Sequence, residues 1–155
     1  MPIVDFSLDL NPVERLLYGL SERAQDLRPA WRVIHQDFLQ VEKAQFESEG
    51  GYSGLSWPAL STRYAAWKAK HYPGRKLLVQ TGRLQSSLTT VNSDHRFISL
   101  PQEVTMGTGV QYAGFHESGT RRMPSRPPVR LSSRERTRWP EVVREYISRF
   151  LQGAD

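Results

Sequence analysis

Apolar positions recur at helical spacing through the first third of the chain. Val13, Leu16, Leu17, Leu20, Ala24 and Leu27 fall three or four apart, the signature of one helix face. Asn11-Pro12-Val-Glu14 reads as the start: Asn can cap, proline fits the first helical position, and Glu14 completes a capping box. Pro29 restarts the pattern, and Trp31, Ile34, Phe38, Val41 and Gln45 carry it to about Ser48, with Gln45 the polar exception. The spacing predicts two amphipathic helices over 11–48, or one broken near Arg28-Pro29. Glycines 50, 51 and 54 with Ser48, Ser53 and Ser56 end it in a loop over 49–56.

Beyond Trp57 the period changes. A short helix is expected from Leu60 to about Lys70, with Tyr64 and Trp67 on one face, until His71-Tyr-Pro-Gly74 breaks it. The aromatic run Trp57, Tyr64, Trp67 and Tyr72 reads as core packing. Thr81 can cap a short turn over 84–88. Extended runs at 88–91, 97–100 and 104–106, separated by polar clusters, predict an antiparallel meander of about three or four strands. Gly107 and Gly109 close it, and positive φ is expected there. One or two helical turns are expected over 111–117, then an irregular arm over 119–131. Ser132-Ser-Arg-Glu135 is a second capping box, and Pro140 is expected to begin a terminal helix with Val143, Tyr146, Ile147 and Phe150 on one face. There is no internal repeat. The order predicts one α+β domain over 1–155: an acidic helical segment (11–48), a mixed helix-and-meander region (57–118), the arm and a C-terminal helical segment (132–152). The N-terminal helices are expected to pack on the small antiparallel sheet.

Composition narrows the functional classes. A chain of 155 residues can build one core without disulfides or metal. Hydrophobic content of 38% with ten prolines and eleven glycines leaves room for extended loops. Without cysteine there is no disulfide framework and no thiol nucleophile. The N-terminus carries Asp5 and Asp9 where a signal peptide would be basic, and no run approaches the ~20 apolar residues of a membrane span. A soluble, non-exported protein is expected, with no membrane partner. The net charge of +5 hides an asymmetry: residues 1–59 carry five Arg/Lys and nine Asp/Glu, residues 60–155 sixteen and seven. Such polarity suits head-to-tail stacking or docking on acidic surfaces. Lys68, Lys70, Arg75 and Lys76 read as a solvated basic face, and the N-terminal acids as solvated helix faces.

No constellation carries chemistry. His35, His71, His95 and His116 have no His or Cys partner within five residues, so a metal site is not expected. Gly107-Thr-Gly109 lacks the third glycine of a dinucleotide fingerprint, and Phe115 stands where a phosphate loop needs lysine. Gly-x-Ser-x-Gly is absent, and His116 lies too near Ser118 for a triad. The reading is no enzyme, no cofactor and no catalytic residue, with His116 hydrogen-bonding the following turn.

What remains is arginine. Between positions 121 and 138 stand seven arginines, no lysine and one acid, Glu135. The guanidinium fork suits carboxylate and phosphate and is enriched at interface cores. Pro124, Pro127 and Pro128 stiffen the segment, lowering the entropy lost on docking. Arg121, Arg122, Arg126 and Arg130 are the expected partner-binding residues. These arginines also allow weak, non-specific DNA contact, but the arm has no aromatic for base stacking and no sequence-reading module accompanies it.

Three signatures in fixed order complete the picture. The first is Trp57-Pro-Ala-Leu60 with Tyr64 and Lys68; the second is Leu78-Val-Gln-Thr81-Gly82-Arg-Leu84 with Ser87 and Leu88. The third runs from Val104-Thr-Met-Gly107 through Tyr112-Ala, His116-Glu-Ser-Gly119 and Arg126-Pro127-Pro128. As a set, over the last two thirds of the chain, they resemble the phage virion morphogenesis family, the tail-completion proteins of Mu-like and P2-like contractile-tailed phages. The resemblance implies a non-enzymatic structural role late in assembly, completing the tail or enabling head–tail joining. It implies contacts with other tail or neck proteins, and residence in the host cytoplasm and then in the virion. Self-association into a ring is our reading of the charge asymmetry. A nucleic-acid-binding packaging or regulatory protein and a small hydrolase are the alternatives. The motif residues Trp57, Leu60, Thr81, Gly82, Leu84, Gly107, Tyr112, His116, Gly119 and Pro127 are expected to be structural. Phe115, Ser118 and Pro128 depart from the family pattern.

Overall fold

The computed structural model describes residues 11–152. Helices α1 (Asn11–Gln25) and α2 (Arg28–Glu47) lead through a 3-10 turn (Gly51–Ser53) to α3 (Thr62–His71) and α4 (Arg83–Thr89). Strands β1 (His95–Ser99) and β2 (Val104–Thr108) follow, then α5 (Ala113–Ser118) and α6 (Ser133–Gln152). The class is α+β as the sequence predicts, but the sheet is a single antiparallel hairpin, His95 facing Thr108 and Ser99 facing Val104. The run 88–91 supplies no third strand. Leu88 is buried in α4, and the hydroxyls of Thr89 and Thr90 donate back to the carbonyls of Gln85 and Ser86, finishing a helix instead.

Helix α2 is the axis of the fold. Ala30, Ile34, Phe38, Val41 and Phe46 are buried along it, and α4, α6 and both strands pack against it. The break before α2 falls at Asp26-Leu27, with Pro29 in its first turn; Leu27 N–H donates to the Pro101 carbonyl at 2.7 Å, pinning the break to the hairpin turn. Phe38, Phe46, Trp57, Val79, Leu84 and Leu88 form the core with Val110 and Ala113. Gln45 is fully buried yet satisfied: its amide accepts from Ser53 N–H and donates to Ser53 Oγ, both at 3.1 Å, which fastens the Gly/Ser loop to α2.

Several local expectations change. Helix α1 packs on α6, but Leu17 is 60% exposed and so is not on the buried face; the Asn11–Glu14 cap and the side chains of Val13, Leu16 and Phe150 lie outside the described residues. Helix α6 begins at the capping box, with Pro140 inside it. Ser132 donates to Glu135 Oε2 through both its N–H and its hydroxyl, Arg134 N–H donates to Ser132 Oγ, and Tyr52 donates to Glu135 Oε1 at 2.7 Å. Neither Gly107 nor Gly109 has positive φ. Gly109 answers a different need, since a Cβ there would lie 3.3 Å from the Arg96 guanidinium. Lys68 is buried, its ammonium donating to the Lys76 carbonyl, so it leaves the solvated basic face.

Candidate partner-binding groove

The first and third signatures are sewn together. Trp57 is buried edge-on against Phe46, and its indole N–H donates to the Pro127 carbonyl at 2.9 Å. Arg126, 3% exposed, donates from Nε to the Pro58 carbonyl at 2.6 Å and from Nη2 to that of Ala59 at 2.7 Å. Its own N–H donates to the His116 carbonyl at 2.7 Å. The arm therefore lies along the Trp57 segment as part of the body. Gly50 makes this possible: at φ +92° a Cβ would stand 2.7 Å from the Trp57 ring.

Between the sewn segments opens a groove of about 630 Å³. Leu60, Ser61 and Tyr64 give one wall, Leu78, Gln80 and Thr81 another, and Tyr112, Phe115 and Met123 a third. All three signatures thus meet on one concave surface. Phe115 is 61% exposed, and Tyr64 and Tyr112 are about two-fifths exposed. Leu78 holds φ +56°, a costly conformation for a branched side chain, braced by Glu49 accepting from the neighbouring Leu77 N–H at 2.6 Å. Among the described residues the lining includes Lys68, Arg83, Arg122 and Arg126 and no acid. Tyr64, Trp67 and His71 stack along the outside of α3, so of the aromatic run only Trp57 enters the core.

The four arm arginines part company. Thr120 and Met123 exchange backbone hydrogen bonds at 2.8 and 3.2 Å, a tight turn with Arg121 and Arg122 at its tip. Both are exposed, and among the described residues neither guanidinium has a hydrogen-bond or ion-pair partner. Gly119, at φ +72°, starts the turn; a Cβ there would lie 2.7 Å from Ser125 N. Arg130 is half-buried near Glu117, whose proton affinity it lowers against the effect of burial. Arg126, expected to bind a partner, instead has its fork taken up by its own chain.

The chain matches the phage virion morphogenesis family over residues 8–148. It belongs to that family. It is 25% identical over 126 residues to the Mu-like prophage FluMu G protein 1 of Haemophilus influenzae, covering 80% of this chain and 81% of that one. No solved structure matches it. The family is one of virion assembly rather than catalysis, and its fold here explains most of the pattern residues. Trp57 and Pro127 form the seam, Gly82 caps α4 at φ +89° next to Thr81, Leu84 fills the core, and Leu60 and Tyr112 line the groove.

Helix α2 of this virion morphogenesis protein also buries an acid that the spacing of its apolar residues does not mark. Glu42, expected from the sequence to be a solvated acid, is fully buried on α2, and among the described residues neither carboxylate oxygen has a hydrogen-bond partner. Burial, with a smaller contribution from Glu117, pushes its pKa up to about 9, so it is protonated at neutral pH. The signal was present: position 42 stands four residues beyond Phe38, on the core face. Burial, then Arg126, lowers the pKa of His116, and its Nδ1 has no partner among the described residues; the bond expected from its side chain to the next turn is made by its carbonyl.

Proposed function

We propose that this protein completes the tail of a contractile-tailed phage or prophage and makes it competent to join the head, through protein–protein contacts. The observation that carries this reading is the convergence of the three signatures on one groove beside the Arg121-Arg122 turn. Exposed aromatics flanked by arginine are the composition of interface hot spots. Unpaired guanidinium groups on a fixed turn suit carboxylates of a neighbouring subunit, and self-association into a ring would repeat that contact around an axis. The protein would work in the host cytoplasm and then stay at the tail or the head–tail junction.

A second reading draws on the same surface. Phe115 and Tyr112 line the groove with Arg122, supplying the aromatic faces for nucleic-acid stacking that the arm alone lacks. Complementation with an Arg121→Glu/Arg122→Glu variant tests the preferred reading: electron microscopy should find full heads and separate tails. Normal particles would sink it, whereas empty heads would favour a packaging role. DNA binding by the pure protein that persists at physiological salt would favour the second reading, since purely electrostatic binding decays steeply with salt.

A further inference from the structure

We infer that the groove receives residues 4–10 of a neighbouring copy of this chain. In that stretch Val4, Phe6, Leu8 and Leu10 alternate with Asp5, Ser7 and Asp9. Laid out extended, such a sequence puts its apolar side chains on one side and its carboxylates on the other. The groove offers the complement to both: Leu60, Leu78, Phe115 and Met123 for the apolar side, and cations without a single acid in the lining for the carboxylates. Arg83 is already held by Asp94 at 2.6 Å, so Arg122 is the cation open to an incoming aspartate. A volume of about 630 Å³ accommodates a few apolar side chains of such a segment.

The donor is a second copy because of where the segment is rooted. It enters α1, which packs on α6, and among the described residues none of either helix lines the groove. Donation from each copy to the next is a heterologous contact, able to close into a ring. It also sets the chain's acidic third, with a net charge of −4, against the remainder at +9. The inference leans on the assembly reading only for why copies meet. It is tested on pure protein, so either can fail alone.

A photo-cross-linking benzoylphenylalanine is placed at Phe6 of the full chain, and isotopically heavy and light preparations are mixed and irradiated. Heavy–light cross-links onto Tyr64, Phe115 or Met123 are expected. Arg122→Glu, at an exposed position, should weaken them about fivefold or more, and pairing it with Asp5→Lys and Asp9→Lys should restore them. Cross-links confined to one isotopic form, cross-links onto other surfaces, or a yield indifferent to Arg122→Glu would each overturn the inference.

Discussion

Arg126 donates to the Pro58 carbonyl at 2.6 Å across 68 positions of sequence, and does so from a buried position. Removing it leaves the carbonyls of Pro58 and Ala59 without their charged donor. Arg126→Ala should destabilise the protein by about 3 kcal/mol, because hydrogen bonds to charged groups contribute about 1.5–3 kcal/mol each and do not simply add. Arg126→Lys should recover little, since an ammonium cannot span two carbonyls as a fork does. Urea denaturation of the three proteins checks the order.

Glu42 predicts a pH dependence with a definite sign. Its folded pKa, about 9, lies above the ordinary 4.5, so the folded state holds a proton that the unfolded chain releases. That contribution is full below about pH 4.5 and is lost as pH rises toward 9. Glu42→Gln should therefore flatten the fall of melting temperature between pH 4.5 and about pH 9, the interval between the unfolded and folded values. A parallel fall in both proteins would contradict the buried acid.

Glu135 predicts the opposite limb. Burial would raise its pKa, but bonds from Ser132 and Tyr52 outweigh that and hold it below the usual carboxylate range. Its stabilisation is present above the ordinary carboxylate pKa and is lost as pH falls through the lowered one. Glu135→Ala should lose about 1–2 kcal/mol at neutral pH through the broken cap, and the deficit should shrink in acid. Thermal scans at acidic and neutral pH suffice.

Two glycines form a matched pair. Gly50 and Gly82 share φ near +90°, but a Cβ at 50 meets Trp57 at 2.7 Å while one at 82 meets nothing within 4 Å. Gly82→Ala should cost only the left-handed strain, about 1–2 kcal/mol. Gly50→Ala should cost clearly more and shift Trp57 fluorescence. Equal losses would mean the contact is unimportant.

Local rules made much of this fold readable. The break before α2, the cap of α6 and the turns around α3 each depend on a few adjacent residues, whose proline, serine and glycine chemistry acts over one or two turns. The strand count failed because Thr89 and Thr90 have strand propensity but bond back into a helix. The groove was legible only as three separate signatures; nothing local says that Leu60, Thr81 and Phe115 share a surface. Arg126 was misplaced for a related reason. Arginine in a proline-rich stretch looks alike whether it faces solvent or its own backbone, and the carbonyls that capture it lie 67 and 68 positions away.

The Trp57–Pro127 bond joins the two ends of a 70-residue excursion. Helices α3, α4 and α5 and both strands all lie inside that excursion. Breaking that bond loosens the Trp57 wall and the arm wall of the groove together, while α2 keeps its contacts with α4 and α6. Amide exchange would then register those two walls opening together, ahead of the core helix α2.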